Sequence, residues 1–234
     1  MNRLRMGQLG GVAFLVASAT LAQEIGWLDL TDLHPRDRIR TPHAGSGECG
    51  GGAGFEPTLS ASITLTHLDK PSYSAGEEVT YEVKIQNTGK EPIEIPWTPH
   101  LGDLEPADSS QSYAYLHAAI SLDFAEPVSN RSLSIYANSY GASNVAGTTR
   151  QLLPGELVFV RARQELDIYE EWWQSKIVES SPLNVKVSAN LMLNKVTYSP
   201  GEKSDAAIDQ SVCIPLRTTL GAPLDAALLP AKSN

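Results

Sequence analysis

A chain of 234 residues with 27 acidic against 18 basic side chains carries a formal charge of −9. That balance argues against nucleic acid as a partner, since phosphate is held by Lys and Arg, and two cysteines are too few for a zinc cage. An apolar fraction of 41% is that of an ordinary globular protein, long enough for one large domain with extensions.

The first 22 residues read as a signal peptide. Arg3 and Arg5 make a basic start, an apolar run begins at Val12 and ends near Leu21, and small residues stand at Thr20 and Ala22. The run is too short to cross a bilayer, so cleavage is expected after Ala22, with Ala19 as the second choice. Loss of Arg3 and Arg5, with no acids removed, takes the formal charge from −9 to −11. No cysteine follows the run to carry a lipid, and no later stretch is apolar enough to span a membrane. The mature chain is expected in the periplasm or outside the cell.

Residues 23–58 form a lead-in. Ile25, Trp27, Leu28, Leu30 and Leu33 can dock on a following domain, and Gly45 to Gly54 is a glycine-rich linker. Gly45, Gly47 and Gly50 match the spacing of a dinucleotide-binding loop. The match is set aside, because such a loop needs a strand before it and a helix after it. His34 and His43 could hold copper or zinc loosely with Cys49, but a solvated linker explains them better, so no cofactor and no metal is expected.

From residue 59 to 216 a period of two dominates. Leu59, Ala61, Ile63 and Leu65 share one face, then Val79, Tyr81, Val83 and Ile85, then Ile93, Ile95 and Trp97. Leu116 to Phe124, Leu133 to Ala137, Val158 to Ala162 and Leu183 to Leu193 continue the pattern, and Val212, Ile214 and Leu216 close it. Short alternating strands between turn signals predict an all-β antiparallel sandwich. The stretch 98–112, rich in Pro, Asp and Ser, reads as a long loop.

A short pattern occurs twice, as Lys70-Pro71-Ser72-Tyr73-Ser74-Ala75-Gly76-Glu77 and Lys195-Val196-Thr197-Tyr198-Ser199-Pro200-Gly201-Glu202. Gly76, Gly155 and Gly201 suit turns with positive φ, each following Glu is expected in solvent, and Tyr73 and Tyr198 are expected to cap the sandwich ends.

Between Asp167 and Ile177 the β rhythm stops. Ile168 and Trp172 are four apart, as are Tyr169 and Trp173, which predicts a short helix. Residues 217–234 read as a loose tail with a helical turn near Leu224–Leu229. Cys213 has the opposite parity to Val212 and Ile214 and is expected to point away from the core. There it can pair with Cys49 in a disulfide, as export favours; two free thiols are the alternative.

Lys70-Pro71, Tyr73, Gly76-Glu77, Val79 and Asn87-Thr88-Gly89, with Pro154-Gly155-Glu156 before a later strand, resemble bacterial immunoglobulin-like β-sandwich domains of the cell-adhesion-related and macroglobulin-like types. The resemblance covers roughly residues 59–216 and marks turns and strand starts. It implies a binding, spacing or envelope-associated module and carries over no site residue.

No nucleophile elbow, H-E-x-x-H, P-loop or C-x-x-C occurs in the sequence. His67 and His117 lie on strands, and parity puts His117 on the polar, exposed face. The candidate binding residues are Tyr169, Trp172 and Trp173, which lie among Glu165, Asp167, Glu170 and Glu171. Exposed aromatics there would hold a protein or stack on a sugar; the competing role is to cover the end of the core. The expected function is therefore an exported, non-catalytic module that binds a protein or polysaccharide of the cell envelope or beyond it. A purely structural spacer is the alternative, and an envelope glycan hydrolase is a further one that would need two placed carboxylates.

Overall fold

The computed structural model describes residues 23–32, 57–108, 110–199 and 208–231. The chain there is all-β apart from one short α-helix and one 3-10 turn. The expected signal peptide, Leu33, His34, His43, Cys49 and the glycine-rich linker lie outside the described residues, as does the Pro200–Glu202 turn.

One sheet holds β1 (Glu24–Leu30), β9 (Leu157–Glu165), β4 (Glu78–Asn87), β2 (Leu59–Leu68) and β12 (Leu216–Leu220), in that spatial order. The other runs β3 (Ser72–Ser74), β13 (Leu224–Leu229), β10 (Leu183–Ser199), β6 (Tyr113–Ala125) and β7 (Ser132–Gly141). β11 (Ile208–Cys213) pairs with the last third of β10. β5 (Ile93–Pro96) and β8 (Thr149–Leu152) make a separate two-stranded ribbon. Alternation places Ile63, Leu65, Tyr81, Val83, Ile120, Leu122, Phe124, Val160, Val185 and Val187 in one shared core between the two large sheets. At roughly 2 kcal/mol for each aliphatic side chain fully buried, this layer dominates the stabilisation.

The sheets are mixed rather than antiparallel. β1 runs parallel to β9, β12 to β2 and β13 to β3. Strands joined by hairpins must be antiparallel, but these arrive by long connections from the two ends of the chain and are free of that constraint.

The region after residue 216 is not a loose tail. Leu224 and Leu228 are four apart, which fits a helix, yet Ala226 and Leu228 are both buried and continue a period of two. The end of the sandwich is therefore Leu229, and β1 extends it at the start: Leu28 and Leu30 are buried, and Trp27 stacks on Phe159 at 4.9 Å.

The parity expected around Cys213 also fails. Val212 is 67% exposed, because Pro215 breaks the run and the chain crosses from β11 in one sheet to β12 in the other. Cys213 is half-buried and is not a free thiol.

Both described Gly-Glu turns have one construction. Glu77 N donates to Ser74 O at 3.1 Å and Glu156 N to Leu153 O at 3.0 Å, across Gly76 (φ 78°) and Gly155 (φ 85°). These are type II turns, with positive φ where glycine is needed. The glutamates are not simply solvated: Glu77 Oε2 accepts from Ser74 N at 3.0 Å, and Glu156 Oε2 from Leu153 N at 2.8 Å. Tyr73 is a buried cap whose hydroxyl donates to Asp69 at 2.8 Å and accepts from Lys70 N.

Candidate functional site

The aromatic segment sits at one end of the sandwich. Helix α1 spans Glu171–Glu179, a little later than the expected span, and its inward face is Trp173 and Ile177, four apart. Trp173 is fully buried, and its Nε1 has no hydrogen-bond partner among the described residues. Adjacent helical positions cannot both face the core, so Trp172 is half-buried, its ring perpendicular to that of Trp173 at 5.0 Å. The Arg131 guanidinium lies over the Trp172 ring at 4.7 Å. Tyr169 stands outside the helix at 80% exposure, and its hydrogen bond to Asp167 raises its pKa.

The three expected binding residues thus divide. Trp173 is core, Trp172 is a wall, and Tyr169 is available. Two residues missed by sequence reasoning join them. Val178 on α1 is 69% exposed, and Val128 is 92% exposed at the tip of the β6–β7 turn. That turn is braced against α1 by the Arg131–Trp172 contact and by attraction between Glu126 and Lys176. Glu126 accepts from Val128 N and Ser129 N, and the Ser129 bonds lead in holding its carboxyl below the usual range. Val128 on the turn and Val178 on the helix are thus large apolar side chains left in solvent at this end of the sandwich.

The second feature lies on the outer face of the β7–β6–β10 sheet. His117 is not exposed as parity suggested but buried. The stretch 98–112 is the cause. Instead of a plain loop it carries a 3-10 turn, Leu101–Leu104, whose two leucines pack on Tyr115, Tyr140 and Val196 over the polar face. The His117 ring stacks on Tyr140 at 5.5 Å, its Nε2 meets Asn138 Oδ1 at 2.9 Å, and Asn194 Nδ2 meets its Nδ1 at 3.3 Å. This pattern assigns a neutral ring with the proton on Nε2. Burial lowers the His117 pKa. The signal for this cover was present as two leucines in an otherwise polar stretch, with Tyr113, Tyr115 and His117 alternating on one strand. His67 is exposed beside a β-bulge, and His100 is half-buried.

Below that cover Tyr136 and Asn190 are exposed on the same face, with Ser121 buried between them. Ser121 and Ser134 hydroxyls both donate to Asp123, at 3.3 and 2.6 Å, and Tyr136 stands half-exposed among them. Among the described residues no three His, Cys, Asp or Glu side chains gather as a metal site, and no helix is long and apolar enough to cross a membrane.

No known family matches the chain, and neither does any curated protein. Solved structures resemble it only distantly. Spo0M, a sporulation control protein from Bacillus subtilis, is 15% identical over 67% of this chain and 49% of its own, with a TM-score of 0.24. The putative ApaA protein from Bordetella pertussis is 15% identical over 73% of this chain and 93% of its own, with a TM-score of 0.27. A β-glucosidase from Listeria innocua is 13% identical over 71% of this chain, which spans 17% of that enzyme, with a TM-score of 0.24. Likeness this weak carries no argument about function.

Proposed function

We propose that the chain is an exported, non-catalytic module of immunoglobulin-like build that docks a protein of the cell envelope or the exterior through its helical end. The observation that supports this reading most is the exposure of Val128, Tyr169 and Val178 on the helix and on the segments next to it. Tyr, Trp and Arg are the residue types that supply most binding energy at interfaces, and exposed valines add apolar area to bury. Export is supported by the basic start and apolar run of the first 22 residues. Cleavage after Ala22 would leave Gln23, whose carbonyl accepts from Leu157 N at 2.9 Å, and so would keep β1 whole. A Cys49–Cys213 disulfide belongs to this reading, since Cys213 is not a free thiol and the chain has one other cysteine.

The test is affinity capture from envelope and culture fractions with wild type and a Tyr169→Ala/Val178→Ser variant of matched stability. A partner held by the wild type and lost by the variant supports docking at this end. A partner held equally by both removes the site, and no partner at all favours the spacer role.

A further inference from the structure

We infer that the outer face of the β7–β6–β10 sheet below the Leu101–Leu104 cover is a second binding site, distinct from the helical end, and that it takes a neutral carbohydrate chain. Register brings Tyr136, Ser121 and Asn190 into one row across the three strands. Ser134 and Asp123 stand in the next row on the same face, and Asn138 stands on the opposite side of Tyr136 in a row completed by Ala119 and Met192. With strands about 4.8 Å apart and a rise of about 3.4 Å per residue, these rows cover roughly 10 by 14 Å, the footprint of two or three sugar rings.

The chemistry of the patch is specific. Tyr136 is 50% exposed beside the buried Ser121, so part of its ring is open to stacking. Stacking on an aromatic face suits the C–H face of a pyranose, while hydroxyls at the ring edge need donors and acceptors side by side. Asp123 is fixed by the Ser121 and Ser134 hydroxyls and keeps acceptor capacity. Asn138 Oδ1 is held by His117 Nε2, and Asn190 Oδ1 by Leu191 N at 2.8 Å, which leaves each amide nitrogen to donate. The Leu101–Leu104 cover closes one end of the face and makes a wall.

Charge selects the class. Asp123 brings a negative charge, His117 is neutral, and Lys186 on the same face is already paired with Asp225 at 2.6 Å. An anionic polymer would meet a carboxylate with no free cation beside it among these residues, whereas a neutral polyol meets no repulsion and finds hydrogen-bonding groups beside the Tyr136 ring.

The experiment is an NMR titration of the mature chain with cellohexaose, xylohexaose, mannohexaose and chitohexaose, with hexagalacturonate as the charged arm. Saturable binding of at least one neutral oligomer is expected, weakened about tenfold or more by Tyr136→Ala, the factor set by losing one aromatic contact. Tyr169→Ala/Val178→Ser should bind the sugar as the wild type does, which separates this site from the helical end. Absence of binding to all four neutral oligomers at millimolar concentration, indifference to Tyr136→Ala, or preference for hexagalacturonate would each overturn the assignment.

Discussion

Replacing Asn87 tests how β4 of the first sheet is tied to the β5–β8 ribbon. Asn87 is fully buried at the end of β4, where its Nδ2 donates to Glu91 O and Leu152 O, both at 2.8 Å, and its Oδ1 accepts from Gly89 N at 2.9 Å. Its backbone is bonded to the Leu153–Glu156 turn in both directions, through Glu156 O and Gly155 N. Asn87→Leu keeps the branched skeleton but removes all three side-chain bonds. The Glu91 and Gly89 groups lie near solvent, so each loss costs about 1 kcal/mol or less. The Leu152 carbonyl belongs to a fully buried residue and adds the penalty of an unsatisfied group, about 1–3 kcal/mol. The sum is roughly 2–4 kcal/mol. With a urea slope of about 2 kcal/mol per molar, the midpoint should fall by about 1–2 M. Asn87→Asp retains the acceptor for Gly89 N and loses both donors, so it should be no more stable than Asn87→Leu despite its polarity. A midpoint within about 0.3 M of wild type for Asn87→Leu would refute the reasoning.

Three further expectations follow from the packing and the buried histidine. A Cβ on Gly141 would stand 2.2 Å from Thr148 O, a backbone atom, so Gly141→Ala should cost about 1–3 kcal/mol and lower Tm by several degrees in a thermal melt. Trp173→Ala should cost about 3–5 kcal/mol in urea unfolding and Trp172→Ala clearly less, because the first empties the core and the second removes a ring that is only half-buried; equal losses would contradict the division between them. The folded pKa of His117 lies below its ordinary value, so the unfolded chain takes up the proton first as pH falls. Wild-type stability relative to His117→Gln should therefore be constant above about pH 7 and decline below about pH 6.5, by no more than about 1.4 kcal/mol per pH unit. A difference that does not change with pH would show that His117 does not titrate with folding.

The strands of the body are legible because one wall of each faces a common core: the alternation of β2, β4, β9 and the first two thirds of β10 is the alternation of burial in the structure. Failures begin where a second surface covers a strand. His117 obeys parity and lies on the outer face, but periodicity says nothing of a loop folded over that face, and Leu101 and Leu104 reverse its exposure. β13 was hidden because alanine is apolar enough for a strand yet favours a helix, so Leu224 and Leu228 fit either period. Val212 misled for the opposite reason: a period of two continued on paper through Pro215, while the chain changed sheets there. At the helical end, the four-residue spacing located α1, and the adjacency of Trp172 and Trp173 required one of them to turn out. Which one depends on where the helix begins, and the phase follows from Glu170 serving as N-cap. Val128 carried no sequence signal, since its exposure arises from a turn pinned by Glu126.

Docking through the helical end is tested most directly by a photo-reactive side chain placed at position 178 in the producing cell, with position 212, an equally exposed valine on β11, as the control. The account predicts a discrete protein adduct from position 178 that is absent from position 212 and is suppressed by Tyr169→Ala. Adducts of equal yield at both positions, or none at 178, would contradict it.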